Sequence, residues 1–185
     1  MSRRLSHLLN NQIVMAMIPN AMANQIISSL SGCDKPDDAI NKFWKAVCDY
    51  VSANAQVMYS WVGLQPSVPA PIPDPTVMLT CTIQTGGSLS PSGQNTAAGA
   101  FAALTAAMNA NCATWMIIWP PGFALSPAFV MPTISLSPSG ATDQMSAMVM
   151  LSTQIIAGLK MATPMASGTH GGFIGSPGAS FISII

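Results

Sequence analysis

Hydrophobic residues recur at helical spacing through the N-terminal part of the chain. A first periodic stretch runs from Leu5 to Ile18 and is ended by Pro19, because proline disfavours a helical residue before it. A second stretch runs from Ala21 to Leu30 and is closed by Gly32. The pattern therefore predicts two short helices before a third, more strongly amphipathic one.

The third predicted helix begins at Pro36 and runs to about Tyr59. Proline suits the first helical position, and the acidic residues Asp37 and Asp38 suit the positive end of the helix dipole. One stripe is charged, with opposite charges four residues apart: Asp38, Lys42, Lys45 and Asp49. The opposite stripe is hydrophobic: Ile40, Phe43, Trp44, Val47, Val51 and Met58. We expect one wet face and one buried face.

Five prolines between Pro66 and Pro75 separate this helical region from the rest of the chain. Such a run favours an extended, semi-rigid segment. We therefore divide the chain into a helical arm (1–62), a proline-rich spacer (63–75) and a C-terminal domain (76–185).

The C-terminal domain contains an internal repeat. The sequence Ser-Leu-Ser-Pro-Ser-Gly at Ser88–Gly93 recurs word for word at Ser135–Gly140, 47 positions later. A strand-like run precedes each copy, and a helix-like run follows each copy. The strands are Thr76–Gln84 and Phe129–Leu136, and the helices are Asn95–Ala110 and Thr142–Met161.

A further strand closes each repeat unit, at Thr114–Trp119 and at Phe181–Ile185, and the segment Pro120–Pro127 is expected to turn the chain between units. The order is β-α-β twice, in units of about 76–119 and 128–185. We predict an α+β fold, in which an N-terminal helical arm precedes a duplicated β-α-β domain of the split βαβ, ferredoxin-like type. On the first repeat helix, the ridge of Ala98, Ala102 and Ala106 is expected to pack on its own sheet.

The composition indicates a subunit of an assembly and not an independent globular domain. Only 12 of the 185 residues are charged, and none of them is glutamate. Ordinary soluble domains are about a quarter charged. Seven of the charges lie between Asp34 and Asp49, so the repeat domain is almost bare of charge. The net charge is zero, which gives no basic patch for nucleic acid.

Neither a membrane span nor a metal site is favoured. Residues Ala97 to Trp119 are uncharged, but they contain polar residues and lack flanking Lys or Arg, so a buried helix leading into a strand is the better interpretation. The cysteines have no C-x-x-C spacing, and His7 is remote from His170. Free, buried thiols are expected at Cys33, Cys48, Cys81 and Cys112.

One enzyme hypothesis has a partial motif. Gly86-Gly87-Ser88-Leu89-Ser90 lies between a strand and a helix, close to the G-x-S-x-G turn of serine hydrolases, and Asp143 and His170 follow in the right order. The last glycine of the motif is replaced by Ser90, however, and the second repeat copy has no glycines there. The Gly-rich segment from Gly168 to Gly178 lacks the lysine of a phosphate loop and is expected to be a connector.

These patterns favour a non-enzymatic structural subunit of a large assembly. The first hypothesis is a virion component of a tailed bacteriophage, from its tail, baseplate or neck, assembled in the host cytoplasm. The expected partners are other subunits and copies of itself, with no catalytic residues, cofactor, metal, nucleic acid, membrane or small-molecule substrate. The alternatives are a membrane-associated or secreted assembly subunit, such as a pore or surface layer, and the small serine hydrolase.

Overall fold

The computed structural model describes residues 17–61, 63–64, 77–90, 97–118, 123–130, 134–137, 140–161, 163–170, 173–175 and 181–184. The helices are α1 (Pro19–Leu30), α2 (Pro36–Asn54), α3 (Ala97–Cys112) and α4 (Gln144–Lys160). The strands are β1 (Gln56–Trp61), β2 (Gly63–Leu64), β3 (Val77–Gln84), β4 (Met116–Ile118), β5 (Phe123–Val130), β6 (Thr163–His170), β7 (Phe173–Gly175) and β8 (Phe181–Ile184). The predicted helix Leu5–Ile18, except for its last two residues, and the proline run Pro66–Pro75 lie outside the described residues.

The two N-terminal helices form where the hydrophobic pattern predicts them. Pro19 opens α1 and Pro36 opens α2, each at a position where a missing backbone N–H costs nothing. Gly32 follows α1 with φ of +72°, a left-handed conformation that glycine adopts without strain. The buried face of α2 includes Phe43, Trp44, Val47 and Val51, as predicted.

The charged face of α2 also matches its prediction. Lys42 lies 3.1 Å from Asp38, and Lys45 lies 2.6 Å from Asp49, both at i,i+4 spacing and both largely exposed. The hydrogen bond to Asp38 raises the pKa of Lys42 above its usual value. Such exposed pairs stabilise a helix only weakly. The main effect of the charged stripe is therefore to keep this face of α2 solvated.

The predicted end of α2 is wrong. The helix stops at Asn54, and Gln56–Trp61 forms strand β1 instead of a last helical turn. The β-favouring residues Val57, Tyr59 and Trp61 alternate along this segment. The strand pairs in unbroken register with β3, from Gln56 opposite Thr82 to Trp61 opposite Val77. Tertiary pairing therefore overrides a sequence that could also continue a helix.

Strand β1 places the N-terminal segment inside the same sheet as the repeat domain. The first sheet has the order β4-β3-β1-β8, and each neighbouring pair is antiparallel. Helices α1 and α2 share one hydrophobic core with α3 and α4. The predicted boundary at residue 62 therefore separates segments that share both a sheet and a core.

Strand pairing in the first repeat unit differs from that of a split βαβ unit. That unit requires its two strands to run parallel with another strand between them. Here β3 and β4 are antiparallel neighbours, with Thr82 opposite Ile118 and Gln84 opposite Met116. After β3 the chain is first drawn against α2, where the Thr85 hydroxyl donates to the Cys48 carbonyl at 2.9 Å.

A second sheet occupies segments that were expected to be a turn and a connector. Its order is β2-β7-β6-β5, and β5 pairs with β6 from Phe123 opposite His170 to Val130 opposite Thr163. The predicted turn Pro120–Pro127 is therefore wrong from Phe123 onward. Pro127 is tolerated because β5 lies at the edge of this sheet, where a missing N–H breaks no ladder on its open side.

The predicted strand Phe129–Leu136 is also wrong over its second half. Residues 134–137 form no strand, although Ile134 and Leu136 are both buried. The side chain of Asn109 makes the hydrogen bonds to this segment that a neighbouring strand would otherwise make. Its Nδ2 donates to the Ile134 carbonyl at 2.9 Å, and its Oδ1 accepts from the Ile134 N–H at 3.0 Å. An amide side chain presents the same donor and acceptor as a peptide group.

The two repeat copies share a buried leucine and a helix that follows it. The helix is described from Ala97 onward in the first copy and begins at Gln144 in the second. Leu89 and Leu136 occupy the same place in each copy, and both are buried between exposed serines. The leucine of the repeated hexapeptide therefore anchors each loop in the core.

The buried faces of the repeat helices correspond at the same offset. Met108 matches Ile155, and Cys112 matches Leu159, and all four side chains are fully buried. Thr105 matches Ser152, but Thr105 is only partly buried, whereas the Ser152 hydroxyl is buried and has no hydrogen-bond partner among the residues that the structure describes. Helix α1 packs closely on α4, and this contact distinguishes the second copy from the first.

Replacing Asn109 by alanine should destabilise the fold by about 1–3 kcal/mol, because the buried N–H and C=O of Ile134 lose their partners. Urea denaturation followed by tryptophan fluorescence measures this loss. The matched control is Asn24→Ala, at an exposed asparagine of α1, which should change stability little. Equal effects of the two substitutions would contradict a structural role for the Asn109 amide.

Candidate functional site

Two tryptophans and one asparagine join α2 to the end of α3. The rings of Trp44 and Trp115 stack with their centroids 5.7 Å apart, and both side chains are buried. The Trp44 indole Nε1–H donates to Asn111 Oδ1 at 2.8 Å. A buried indole needs such an acceptor, because an unpaired N–H in the core is costly. These three residues fix the C-terminal end of α3 against α2.

The first repeat loop is fitted to the same junction at Gly87. This residue has φ of +97°, and a Cβ placed on it would lie 2.0 Å from Asn111 Nδ2. Glycine is required here both for the backbone angle and for the close approach of the amide. The loop therefore packs at Gly87 against the side chain of Asn111, which also accepts the hydrogen bond from Trp44.

Cysteines line the same junction as buried thiols. Cys48 and Cys112 are buried and form no disulfide, as predicted, whereas Cys33 is partly exposed. Burial raises the pKa of Cys48 to about 11 and also raises the pKa of Cys112. A thiol with a raised pKa is a poor nucleophile, so the two groups act here as small hydrophobic side chains.

The three residues of the hydrolase hypothesis have separate structural settings. Ser88 is exposed in the first repeat loop, and His170 ends strand β6. Asp143 caps helix α4: its Oδ1 accepts from the Ser146 N–H at 2.8 Å, and the Ser146 hydroxyl lies 3.3 Å from the Asp143 N–H. Hydrogen bonds to the carboxylate, led by that from the Ser146 N–H, lower the pKa of Asp143. The carboxylate works as a helix cap, which gives the catalytic assignment no support.

Neither a metal cluster nor a membrane-spanning helix is found in the described parts of the chain. No group of three or more His, Cys, Asp or Glu residues is arranged there to hold an ion. None of the helices described is both long enough and apolar enough to cross a bilayer.

The outer surface divides into a charged part and an uncharged part. The charged part is the exposed stripe of α2. The uncharged part comprises the outward sides of α3, which has no charged residue, and α4, which has one, Lys160. On α3, Ala102 and Ala106 are exposed, so the prediction that their ridge packs on its own sheet is wrong. The repeat domain therefore presents neutral helices to its surroundings.

Large hydrophobic side chains also lie on the surface. Among the residues whose burial the structure describes, five are exposed: Ile18, Met116, Ile118, Met145 and Met161. Met116 and Ile118 belong to β4, an edge strand of the first sheet, and Met145 and Met161 lie at the two ends of α4. Exposed apolar residues on already uncharged elements are typical of contact surfaces.

Sequence reasoning missed the amide side chains that hold the repeat loops. Besides Asn109 and Asn111, Gln154 of α4 accepts from the Ser137 N–H at 3.1 Å and donates to its hydroxyl at 3.2 Å. The available signal was their placement: polar residues inside helices that are otherwise hydrophobic. Such residues are costly in a core unless they are paired.

Replacing Gly87 by alanine should lower the free energy of unfolding by about 1–3 kcal/mol from backbone strain alone, and the clash with Asn111 adds to this. The neighbouring substitution Gly86→Ala is the control, because its Cβ would point into open space and its φ is not positive. Chemical denaturation of both variants tests the claim. Comparable stability of the two variants would be inconsistent with the Gly87–Asn111 fit.

The cap at Asp143 should make stability depend on pH in acid. Its folded pKa is lowered, so its contribution is present above about pH 4, the unfolded value, and is lost as pH falls through the folded value. Asparagine also caps helices but does not titrate. We expect Asp143→Asn to lower the melting temperature by a few degrees at pH 7, and by less at pH 3. A difference that stays the same at both pH values would contradict this.

No protein-family model, no curated protein and no solved structure matches this chain. The function proposed below therefore rests on the residues and the packing described above.

Proposed function

We propose that the protein is a non-enzymatic structural subunit of a large multi-protein assembly. The observation that carries this proposal is the pair of repeat helices, α3 and α4, which are 16 and 17 residues long and hold a single charge between them. A solvated helix normally carries charges on its outward side. The exposed residues described in these helices are alanine, methionine and threonine, with one glutamine and one lysine. Outward sides of this kind are suited to burial against another protein.

The contrast with α2 supports this interpretation. One helix of the same molecule carries the ordinary charged stripe, including two ion pairs. The chain can thus build a charged, solvated surface, and it places seven of its twelve charges between Asp34 and Asp49. We propose that the α2 stripe faces solvent or a polar lumen, and that α3 and α4 face neighbouring subunits.

Within this class we propose a virion component of a tailed bacteriophage, located in the tail, baseplate or neck. The support is compositional: a neutral chain with 14 methionines and 6% charged residues is suited to a permanent particle in which neighbours cover most of each subunit. The partners are then other virion subunits and further copies of this chain.

No second function is favoured by a specific observation. The hydrolase alternative depends on Asp143, whose oxygens are engaged in capping α4. A membrane-associated or secreted assembly subunit would need the same neutral outer surface, and alkaline extraction of membranes separates it from a virion component.

Sedimentation velocity of the full chain over a range of concentrations tests the assembly proposal. We expect polydisperse or insoluble material from the isolated chain, because its neutral surfaces have no partner to bury them. A stable, soluble monomer at all concentrations would overturn the proposal. For the virion location, mass spectrometry of purified particles should find the chain, whereas recovery only from host membranes would support the alternative.

A further inference from the structure

A cavity of about 290 Å³ lies between the first turns of α2 and the first repeat loop. Helix α2 contributes Asp37, Ile40 and Asn41 to its lining, and the loop contributes Leu89 and Ser90. Leu89 is buried and Ile40 packs against the hydrophobic core, whereas the three polar residues are exposed. The cavity therefore has an apolar base and a polar rim. Its volume is just below the roughly 300–1,000 Å³ of pockets for drug-sized ligands, so it suits one small group.

The duplication indicates which group this cavity lacks. Ser90 is equivalent, at the 47-residue offset, to Ser137 in the second copy. There the side-chain amide of Gln154 accepts from the Ser137 N–H at 3.1 Å and donates to the Ser137 hydroxyl at 3.2 Å. The first copy has Ala107 at the position of Gln154, and an alanine side chain has no polar group. Among the residues that the structure describes, none supplies Ser90 with the amide that Ser137 receives.

The rim of the cavity offers further hydrogen-bonding groups. Asn41 Nδ2 donates to the Asp37 carbonyl at 3.1 Å, which leaves the amide oxygen of Asn41 as an acceptor. The Asp37 carboxylate takes part in neither ion pair of α2. Acceptors on α2 therefore lie beside Ser90, which has an N–H donor and a hydroxyl that both donates and accepts. A primary amide matches this set, because it donates and accepts from one flat head group.

Charge at this end of α2 disfavours an ionic ligand. The Asp37 carboxylate repels an anion. Its attraction for a cation is offset by the positive end of the helix dipole and by Lys35, the residue before the helix. A neutral head group avoids both effects, and it also avoids the cost of removing an ion from water.

We propose that this cavity binds a primary amide carried on a short apolar stem. The amide oxygen accepts from the Ser90 N–H, the amide nitrogen donates to the Ser90 hydroxyl or to the acceptors on α2, and the stem lies on Ile40 and Leu89. The amide belongs either to an asparagine or glutamine side chain of another protein or to a small free molecule. The inference goes beyond the proposed structural function and does not depend on it, because that function places neighbouring subunits against α3 and α4.

Saturation-transfer NMR of the full chain with butyramide tests this site, and the method tolerates an assembled or polydisperse protein. Butyrate and propylammonium are the matched probes, because each joins the same propyl stem to a charged head group. We expect saturation transfer to butyramide and about tenfold weaker binding of either ion, a factor that corresponds to one or two net hydrogen bonds. An absence of transfer to butyramide, or equal transfer to all three compounds, would overturn the proposal.

Two substitutions locate the binding. Ala107→Gln supplies the amide from within the chain, as Gln154 does in the second copy, and should abolish transfer to butyramide. Asn41→Phe fills the cavity from an exposed position on α2, outside the core, and should have the same effect. The matched controls are Ala106→Gln on α3 and Ala53→Phe on α2, both at exposed alanines, which should bind as the wild type does.

Circular dichroism checks that each variant is folded. Full binding of butyramide by a folded Ala107→Gln variant contradicts the proposal. Full binding by Asn41→Phe contradicts it equally, and this result can be obtained even if Ala107→Gln does not fold.

A second probe identifies the source of the amide. N-acetyl-glutamine N-methylamide carries its only primary amide on a peptide backbone. Tighter binding of this compound than of butyramide supports a protein side chain as the ligand, because the flanking backbone then adds contacts. Equal or weaker binding supports a small free amide. A chain that is monomeric at every concentration would defeat the structural function and leave this site unaffected, whereas loss of the site would leave the structural function unaffected.

Discussion

The fold depends on neutral amide side chains that hydrogen-bond the backbone of the repeat loops. A core formed by a chain with so few charges has no ion pairs with which to fix its loops, and both ion pairs among the described residues are exposed on α2. Asn109 binds the backbone of Ile134, Gln154 binds Ser137, and Asn111 binds Trp44 while lying against Gly87. Asn109 and Gln154 each donate and accept, and Asn111 accepts from the Trp44 indole, so these polar groups are satisfied without the cost of burying a charge.

The two copies of the duplicated unit have equivalent leucines and equivalent helices, but the polar contacts that hold their loops differ. The first loop is held by α2 and by Asn111, whereas the second is held by Asn109 and Gln154. Helix α3 therefore contacts both loops, the first through Asn111 and the second through Asn109. The two copies have kept the same hydrophobic anchors while their polar contacts have become different, as expected if burial sets the unit and hydrogen bonds adapt to each neighbourhood.

Local signals predicted the helices well, because proline at the start of α2 and the spacing of its apolar residues are properties of short segments. Strand pairing was predicted poorly, because it depends on segments that are far apart in the sequence. The residues of β1 are compatible with either a helix or a strand, and pairing with β3 and β8 makes this segment a strand. Nothing in the sequence around Asn109 points to Ile134, 25 positions away. The lack of charge predicted a contact surface, but the alanine-rich α3 has too little contrast between its sides to show that Ala102 and Ala106 face outward.

The concentration of charge between Asp34 and Asp49 sets how the molecule should respond to its solvent. Surfaces without charge are little affected by the ionic strength that screens ion pairs, so dilute salt should neither loosen nor tighten their contacts. Their attraction is hydrophobic, which weakens on cooling and strengthens with excluded solutes such as sulfate. The contacts of an assembly built on such surfaces should strengthen on warming and in the presence of excluded solutes. Such an assembly should dissociate most easily in the cold.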